Sequence, residues 1–318
     1  MPIPPLEAIR AARSRIAGRV HVTPTLGSRT LARLAGAAGL GLKCESLQKT
    51  GSFKVRGALN AVSQLDSATR GRGVVTVSAG NHAQALAWAA ASLDVPCTVV
   101  MPAAASEAKA AASAEYGATV IRHGTAAEAF VRARELADSE GLTLVHPFDD
   151  VNIIAGAATA GLEILEQFPE VDVVVVPIGG GGLIAGIASA VRQASPAVRV
   201  IGVEPVGAAS MYRSLAAGHP VRLDTIDTIA DGLAAPFAGD LTYPIVRECV
   251  DEVVLVTDAE IANALSLLLT RAKLLAEPAG AAATAALLAH KVPGVAGKRA
   301  VAVISGGNVD LDRLKGLL

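Results

Sequence analysis

The sequence predicts an α/β protein with parallel-rich sheets flanked by helices, and two observations carry that prediction. Short β-branched runs alternate with longer Ala- and Leu-rich segments of helical period along nearly the whole chain, the rhythm of strand–helix units that build parallel sheets. The composition is 52% hydrophobic but only 3% aromatic. Its apolar share therefore comes from Ala, Val, Leu, Ile and Gly, which pack helices closely over a sheet buried on both faces.

The pattern predicts strands at Val74–Val77, Thr98–Met101, Thr119–Arg122, Thr143–His146, Val173–Val176, Val198–Val203, Val253–Val256 and Val301–Ile304. Helices are expected near Asn81–Ser92, Ser106–Tyr116, Ala126–Ser139, Asn152–Gln167, Leu183–Ala194, Asp258–Leu274 and Ala279–His290. Thr257-Asp258-Ala259-Glu260 reads as a capping box, in which hydroxyl and carboxylate each satisfy an orphan amide at the helix start. At 318 residues the chain has about two domains' worth of length. No Gly/Pro/Ser-rich linker divides it, so the division rests on the rhythm of elements. The units between Val74 and Asp149 can form one small sheet and the other strands a larger one.

The balance of 28 Lys+Arg against 29 Asp+Glu offers no field for a nucleic acid or an anionic membrane. Three cysteines, Cys44, Cys97 and Cys249, are too few and too scattered for a disulfide framework or a metal site, which fits reduced thiols in a cytoplasm. The first residues carry Pro and Arg where a signal peptide needs an apolar run. The uncharged stretch Val173–Val191 contains Pro177 and the glycines 179–182, so it reads as strand, turn and helix rather than a membrane span. His123, His219 and His290 have no partner pattern and read as surface or satisfied histidines. Cys97 reads as core packing.

Four stretches carry chemistry. In Lys49-Thr50-Gly51-Ser52-Phe53-Lys54-Val55-Arg56-Gly57, Lys54 sits among small and apolar neighbours. Burial would depress its amine pKa and make it a nucleophile able to hold a carbonyl cofactor as a Schiff base. The plain alternative is a snorkelling surface lysine. Ser78-Ala79-Gly80-Asn81-His82 follows a strand and opens a helix, where free amides and the helix dipole suit a carboxylate or phosphate; the alternative is an ordinary cap. Pro177-Ile178-Gly179-Gly180-Gly181-Gly182-Leu183 joins strand to helix, and its glycines let the backbone wrap an anion. Gly180-x-Gly182-x-x-Ala185, with Glu204 ending the next strand, also meets the relaxed dinucleotide fingerprint, so NAD competes here. A glycine turn for close packing is the third reading. Ser305-Gly306-Gly307-Asn308 follows the last strand, and the Ser305 hydroxyl can bond a ring nitrogen; otherwise it is a turn. Taken together, an amine, a carboxylate cradle, a phosphate cradle and a ring-nitrogen partner are the parts of a pyridoxal phosphate site, whereas NAD leaves Lys54 and Ser305 unexplained.

KTGSFKVRGA, SAGNHAQAL, HPFDD, VPIGGGGLIAGIA, GVEP, ADG, EPAGA and SGGNVD, in this order, closely resemble the threonine/serine dehydratase and serine racemase group of fold-type II pyridoxal phosphate enzymes, which are tryptophan synthase β-like. The resemblance covers about Ile9 to Asp310. It implies a large cofactor-binding domain, 1–73 plus 150–318, with a small inserted domain, 74–149, and the cofactor between them. It implies a homodimer or homotetramer acting on a small amino acid. By motif match Lys54 is the Schiff-base lysine and Phe53 lines the ring. Asn81 bonds the ring oxygen, Gly179, Gly180, Gly181, Gly182 and Leu183 hold the phosphate, and Ser305 faces the pyridine nitrogen. Ser78, Asn81 and His82, with the amides around Ala79 and Gly80, grip the substrate carboxylate. Glu277, otherwise a helix cap before Pro278, is placed near the cofactor.

Departures from the group matter as well. Racemases carry a serine before the Gly-Asn-His triplet as acid/base on the opposite ring face; here it is Ala79, which disfavours racemisation. Relatives often bind a divalent cation through a Glu, a carbonyl and a second acid. Here Glu204 and Ala208 match but Ser210 stands in the acid's place, which removes a charged ligand, so no metal is expected. The chain ends eight residues after Asp310, and no C-terminal regulatory domain is expected. The implied reaction is β-elimination from a β-hydroxy-α-amino acid, L-threonine to 2-oxobutanoate and ammonia, with L-serine to pyruvate. Alternatives are a dehydratase for another hydroxyamino acid such as 3-hydroxyaspartate or phenylserine, a serine racemase, a substitution enzyme of the cysteine-synthase kind, an NAD-binding oxidoreductase, and a catalytically silent ligand sensor.

Overall fold

A computed structural model describes residues 3–318. Among them ten strands run in chain order as β1 Thr25–Gly27, β2 Gly39–Cys44, β3 Val74–Val77, β4 Cys97–Met101, β5 Thr119–Arg122, β6 Thr143–Leu144, β7 Val173–Pro177, β8 Arg199–Pro205, β9 Glu252–Val256 and β10 Arg299–Ile304. They form a six-stranded sheet of order β1-β2-β10-β7-β8-β9 and a four-stranded sheet of order β5-β4-β3-β6. Every pairing of these strands is parallel except that of the edge strand β1 with β2.

Strand alternation sorts the core of the large sheet into two layers. Val173 and Val175 of β7 face an apolar layer with Ile201, Val203, Ala300 and Ala302, covered by the helix Pro278–Leu288. Val174 and Val176 face the other layer with Val301 and Val303, under the helices Val151–Gln167 and Gly182–Ala194. Pro278–Leu288 is Ala-rich and almost wholly buried, as a helix apolar on all sides must be.

The small sheet is sandwiched likewise. Val74, Val99 and Met101 pack against the helix Asn81–Ala91 and against Val55, Leu59 and Val62 of the helix Lys54–Ser63. Val75 and Val100 pack against Ala129, Ala133 and Leu136 of the helix Ala126–Glu140. The helix that begins at Lys54 thus packs under the small sheet, although it precedes β3 in the chain.

Several elements differ from the sequence pattern. β1 and β2 precede Val74; Gly39-Leu40-Gly41-Leu42 lacks the β-branched residues that mark the other strands, and β10 pairs with it over its whole length. The expected strand Thr143–His146 stops at Leu144, because His146 turns to accept the amides of Phe148 (3.3 Å) and Asp149 (2.9 Å) on Nδ1. The expected helix Asp258–Leu274 is α-helical only to Leu267; Leu268–Ala272 forms a π turn and Lys273 has φ 59°. The Thr257–Glu260 capping box is present, and Thr125–Glu128 makes a second one. No helix among the described residues is long and apolar enough to cross a membrane.

Candidate active site

The carboxyl ends of β3, β7 and β10 point toward one space, where open parallel sheets hold ligands. There a cavity of about 670 Å³ lies between the two sheets. Phe53 and Lys54 line it from the start of one helix, Ser78, Ala79, Gly80, Asn81 and His82 from the turn after β3. Gly179, Gly180, Gly181, Gly182 and Leu183 enter from the loop after β7, and Ser305 from the end of β10. Four stretches far apart in sequence therefore meet in one place.

Lys54 keeps part of its surface open to the cavity, but protein surrounds its amine. Nζ donates to Pro147 O at 2.7 Å and lies 5.1 Å from the centre of the Phe53 ring. Burial lowers its pKa to about 8, while the negative charge of Glu277 acts the other way. A lysine in this state gives up its proton far more readily near neutral pH than an ordinary exposed lysine does. Burial first, and then the charge on Lys54, hold His82 well below an ordinary histidine; the bond to Val145 O pulls the other way, and nearby His146 adds a smaller lowering. Its Nε2 sits 3.4 Å from Val145 O, and its buried Nδ1 has no partner among the described residues.

Asn81 begins its helix and reaches across the cavity. Nδ2 donates to Glu277 Oε1 at 2.7 Å, and Oδ1 accepts from Asn308 Nδ2 at 2.8 Å. Burial raises Glu277 to about 7, partly offset by the Asn81 bond. Glu277 occupies the N-cap position before Pro278, but its side chain makes no capping bond; it lines the cavity instead.

The loop after β7 is shaped by close approach. A Cβ on Gly180 would run into the Phe148 ring, and one on Gly182 would lie 3.0 Å from the Phe148 backbone. Gly181 has φ +95°, where a side chain is strained. The helix Gly182–Ala194 begins here, so amides and the positive dipole end face the cavity. Ser305 is buried; among the described residues its hydroxyl makes only a long 3.5 Å bond to Ala279 O, and its carbonyl accepts from Phe53 N at 3.0 Å.

These residues fit pyridoxal phosphate: a side-chain-free cradle for the phosphate, a buried amine, and a hydroxyl with spare bonding capacity, all lining one cavity. They fit a dinucleotide less well. Glu204 is fully buried and spends its oxygens on Met211 N (2.9 Å) and Tyr212 N (2.8 Å) at the start of the helix Ser210–Ala217, so it is not free for a ribose. Ser210 Oγ lies 3.5 Å from the same carboxylate.

Several lining groups are missing from the residues singled out in the sequence. Pro147 and Phe148 lie in the HPFDD stretch, whose aromatic and proline could have drawn attention. Lys109, Asp231 and Arg313 meet at the rim of the cavity. Arg313 Nη2 donates to Asp231 Oδ1 at 2.8 Å, and Lys109 Nζ lies 3.5 Å from Asp231 Oδ2. No local pattern joins three charges so far apart in sequence.

Comparison with known proteins agrees with this geometry. The profile of the family described as pyridoxal-phosphate dependent enzyme matches residues 16–306. An L-threonine ammonia-lyase of Thermotoga maritima is 45% identical over 310 residues, covering 97% of this chain and 77% of that protein. The crystal structure of a threonine deaminase from T.th. superposes with a TM-score of 0.91 at 44% identity, covering 97% of this chain and 99% of that one. Serine racemase from Dictyostelium discoideum gives 0.90 at 42% identity, covering 96% and 99%. With a lysine, a glycine cradle and a serine gathered around one cavity, and with this match over most of its length, the chain belongs to the family of pyridoxal-phosphate dependent enzymes.

Proposed function

We propose that this chain is an ammonia-lyase that dehydrates and deaminates a β-hydroxy-α-amino acid, L-threonine to 2-oxobutanoate and ammonia, and L-serine to pyruvate and ammonia. The observation that carries the reading is the placement of Lys54, an amine lowered to about 8 by burial in the same cavity as the glycine loop. The relatives named L-threonine ammonia-lyase and threonine deaminase support the choice of substrate.

When bound, pyridoxal phosphate supplies a sink for the electrons left at the substrate α-carbon. Lys54 would hold the cofactor, and its neutral amine would take the substrate α-proton on Nζ as general base. Phe53 would flank the ring, Asn81 would bond the ring oxygen, and Gly179, Gly180, Gly181, Gly182 and Leu183 would hold the phosphate. Ser305, a neutral partner, would meet the pyridine nitrogen and leave it largely unprotonated. Ser78, Asn81 and His82, with the amides near Ala79 and Gly80, hold the substrate carboxylate. Ala79 lines the cavity without a hydroxyl, so this position offers no proton donor for return to the α-carbon from the second face, and elimination is favoured over racemisation.

The same reading divides the chain into a large domain, 1–73 plus 150–318, and a small one, 74–149, with the cavity between them. It includes a cytoplasmic address and a homodimer or homotetramer, for which exposed Leu26, Leu47 and Leu275 supply apolar surface; light scattering reads the mass.

The test is an absorption spectrum of the purified protein followed by an assay of 2-oxo acid from threonine. An absorption band at roughly 410–420 nm, abolished by borohydride with the cofactor fixed on Lys54, together with 2-oxobutanoate, is the expected result. A band without product from threonine or serine moves the substrate elsewhere. D-serine formed from L-serine points to racemisation. A Lys54→Ala protein that turns threonine over at the normal rate overturns the mechanism.

A further inference from the structure

The glycine loop is held from behind by a relay that none of the four chemistry-bearing stretches contains. Thr242 is fully buried. Its Oγ donates to Gly180 O at 2.7 Å and accepts from Gly239 N at 3.0 Å. Asp149 holds Thr242 in turn. Its Oδ1 accepts from Leu241 N at 2.9 Å and Thr242 N at 3.2 Å, and its Oδ2 from Asp240 N at 3.0 Å, so three successive amides at the head of the helix Thr242–Cys249 converge on one carboxylate.

The geometry of the peptide group gives the relay a consequence. In a trans peptide, C=O and the following N–H point in opposite directions. The bond that draws Gly180 O toward Thr242 therefore turns the Gly181 amide away from Thr242, toward the cavity that Gly181 lines. Packing is tight enough to keep this orientation, since a Cβ on Gly181 would lie 2.7 Å from Thr242 Oγ.

We infer that Asp149 and Thr242 are positioning residues that orient the Gly180–Gly181 peptide and thereby set the grip on the cofactor phosphate. The inference rests on the proposed reading of the cavity as a pyridoxal phosphate site. Neither residue lies among those lining the cavity; both act through the loop.

The test compares cofactor-free wild-type, Thr242→Val, Thr242→Ser and Asp149→Asn proteins by equilibrium dialysis, using pyridoxal phosphate and, separately, pyridoxal, which has the ring but no phosphate. Thr242→Val keeps the shape and removes the donor. It is expected to weaken pyridoxal phosphate about 10- to 100-fold, the range of one hydrogen bond to a charged group, while leaving pyridoxal binding unchanged. Thr242→Ser restores the hydroxyl and the affinity to within about threefold of wild type. Asp149→Asn weakens the phosphate-bearing ligand selectively as well. Equal losses for both ligands indicate general damage and overturn the relay, as does unchanged binding of pyridoxal phosphate by Thr242→Val. If Thr242→Val does not fold, Asp149→Asn and Thr242→Ser decide by the same selectivity. Wild-type protein that binds neither ligand overturns the reading of the cavity, and the relay with it.

Discussion

Asn81 Nδ2 donates to Glu277 Oε1 at 2.7 Å, joining two residues 196 positions apart across the cavity that contains Lys54. The bond ties the turn after β3 to the head of the helix Pro278–Leu288, and so one sheet to the other. It also fixes the carboxylate whose charge raises the Lys54 pKa against the larger effect of burial.

Glu277→Gln removes that charge. Because Glu277 raises the Lys54 pKa against the larger effect of burial, its loss moves the Lys54 midpoint below about 8. In cofactor-free protein, the rate at which an amine-directed reagent modifies Lys54 is therefore expected to rise at lower pH in the variant than in wild type. An upward displacement of the midpoint contradicts this coupling.

Glu204 makes stability depend on pH in a defined direction. Burial raises its pKa from 4.5 to about 8 in spite of the Met211 and Tyr212 amides. Between those values the folded protein binds more protons than the unfolded chain, so this group's contribution to stability falls as pH rises through that window. Glu204→Gln, neutral throughout, is expected to flatten the change in urea-unfolding free energy between about pH 5 and pH 8 by on the order of 1–3 kcal/mol.

Gly180→Ala drives a methyl into the Phe148 ring. Overpacking of this kind costs about 1–3 kcal/mol, and here it also deforms the cradle, so the variant is expected to lose both melting temperature and bound cofactor. Phe148→Leu in the same chain makes room. A double-mutant cycle with favourable coupling between the two changes identifies the clash as the cause.

Beneath Lys54 its helix is anchored by a buried set of charges. Arg56 Nε and Nη2 donate to Glu45 at 2.7 and 2.8 Å, Nη1 and Nη2 to Glu163 at 2.7 and 2.8 Å, and Lys43 Nζ to Glu163 at 2.6 Å. All four side chains are buried. Arg56→Met leaves Glu45 without its ion-pair partner and Glu163 with Lys43 alone, and unfolding by urea is expected to show a loss of about 3–5 kcal/mol, the cost of breaking a buried ion pair from one side.

Much of the fold is legible in the chain because its signals are local. β3, β4, β5 and β7 announce themselves by Val- and Thr-rich runs, and Thr257 and Glu260 mark a helix start by a pairing only three residues long. The glycine run 179–182 reads as a cradle because only a residue without Cβ fits there, a property written in residue type. β2 is hidden, since Gly39-Leu40-Gly41-Leu42 acquires its strand from pairing with β1 and, over its whole length, with β10, which lies at the far end of the chain.

For the site, the sequence by itself determined which groups are available: one lysine in an apolar setting, a glycine loop before a helix, a polar turn after β3 and a serine after the last strand. Tertiary structure decided their states and partners. Burial that lowers Lys54, the Asn81–Glu277 bond, the meeting of Lys109, Asp231 and Arg313, and the support of Gly180 by Thr242 and Asp149 all join residues distant in the chain. Desolvation and hydrogen bonding depend on what surrounds an atom in space, and those surroundings exist only once the two sheets have come together around the cavity.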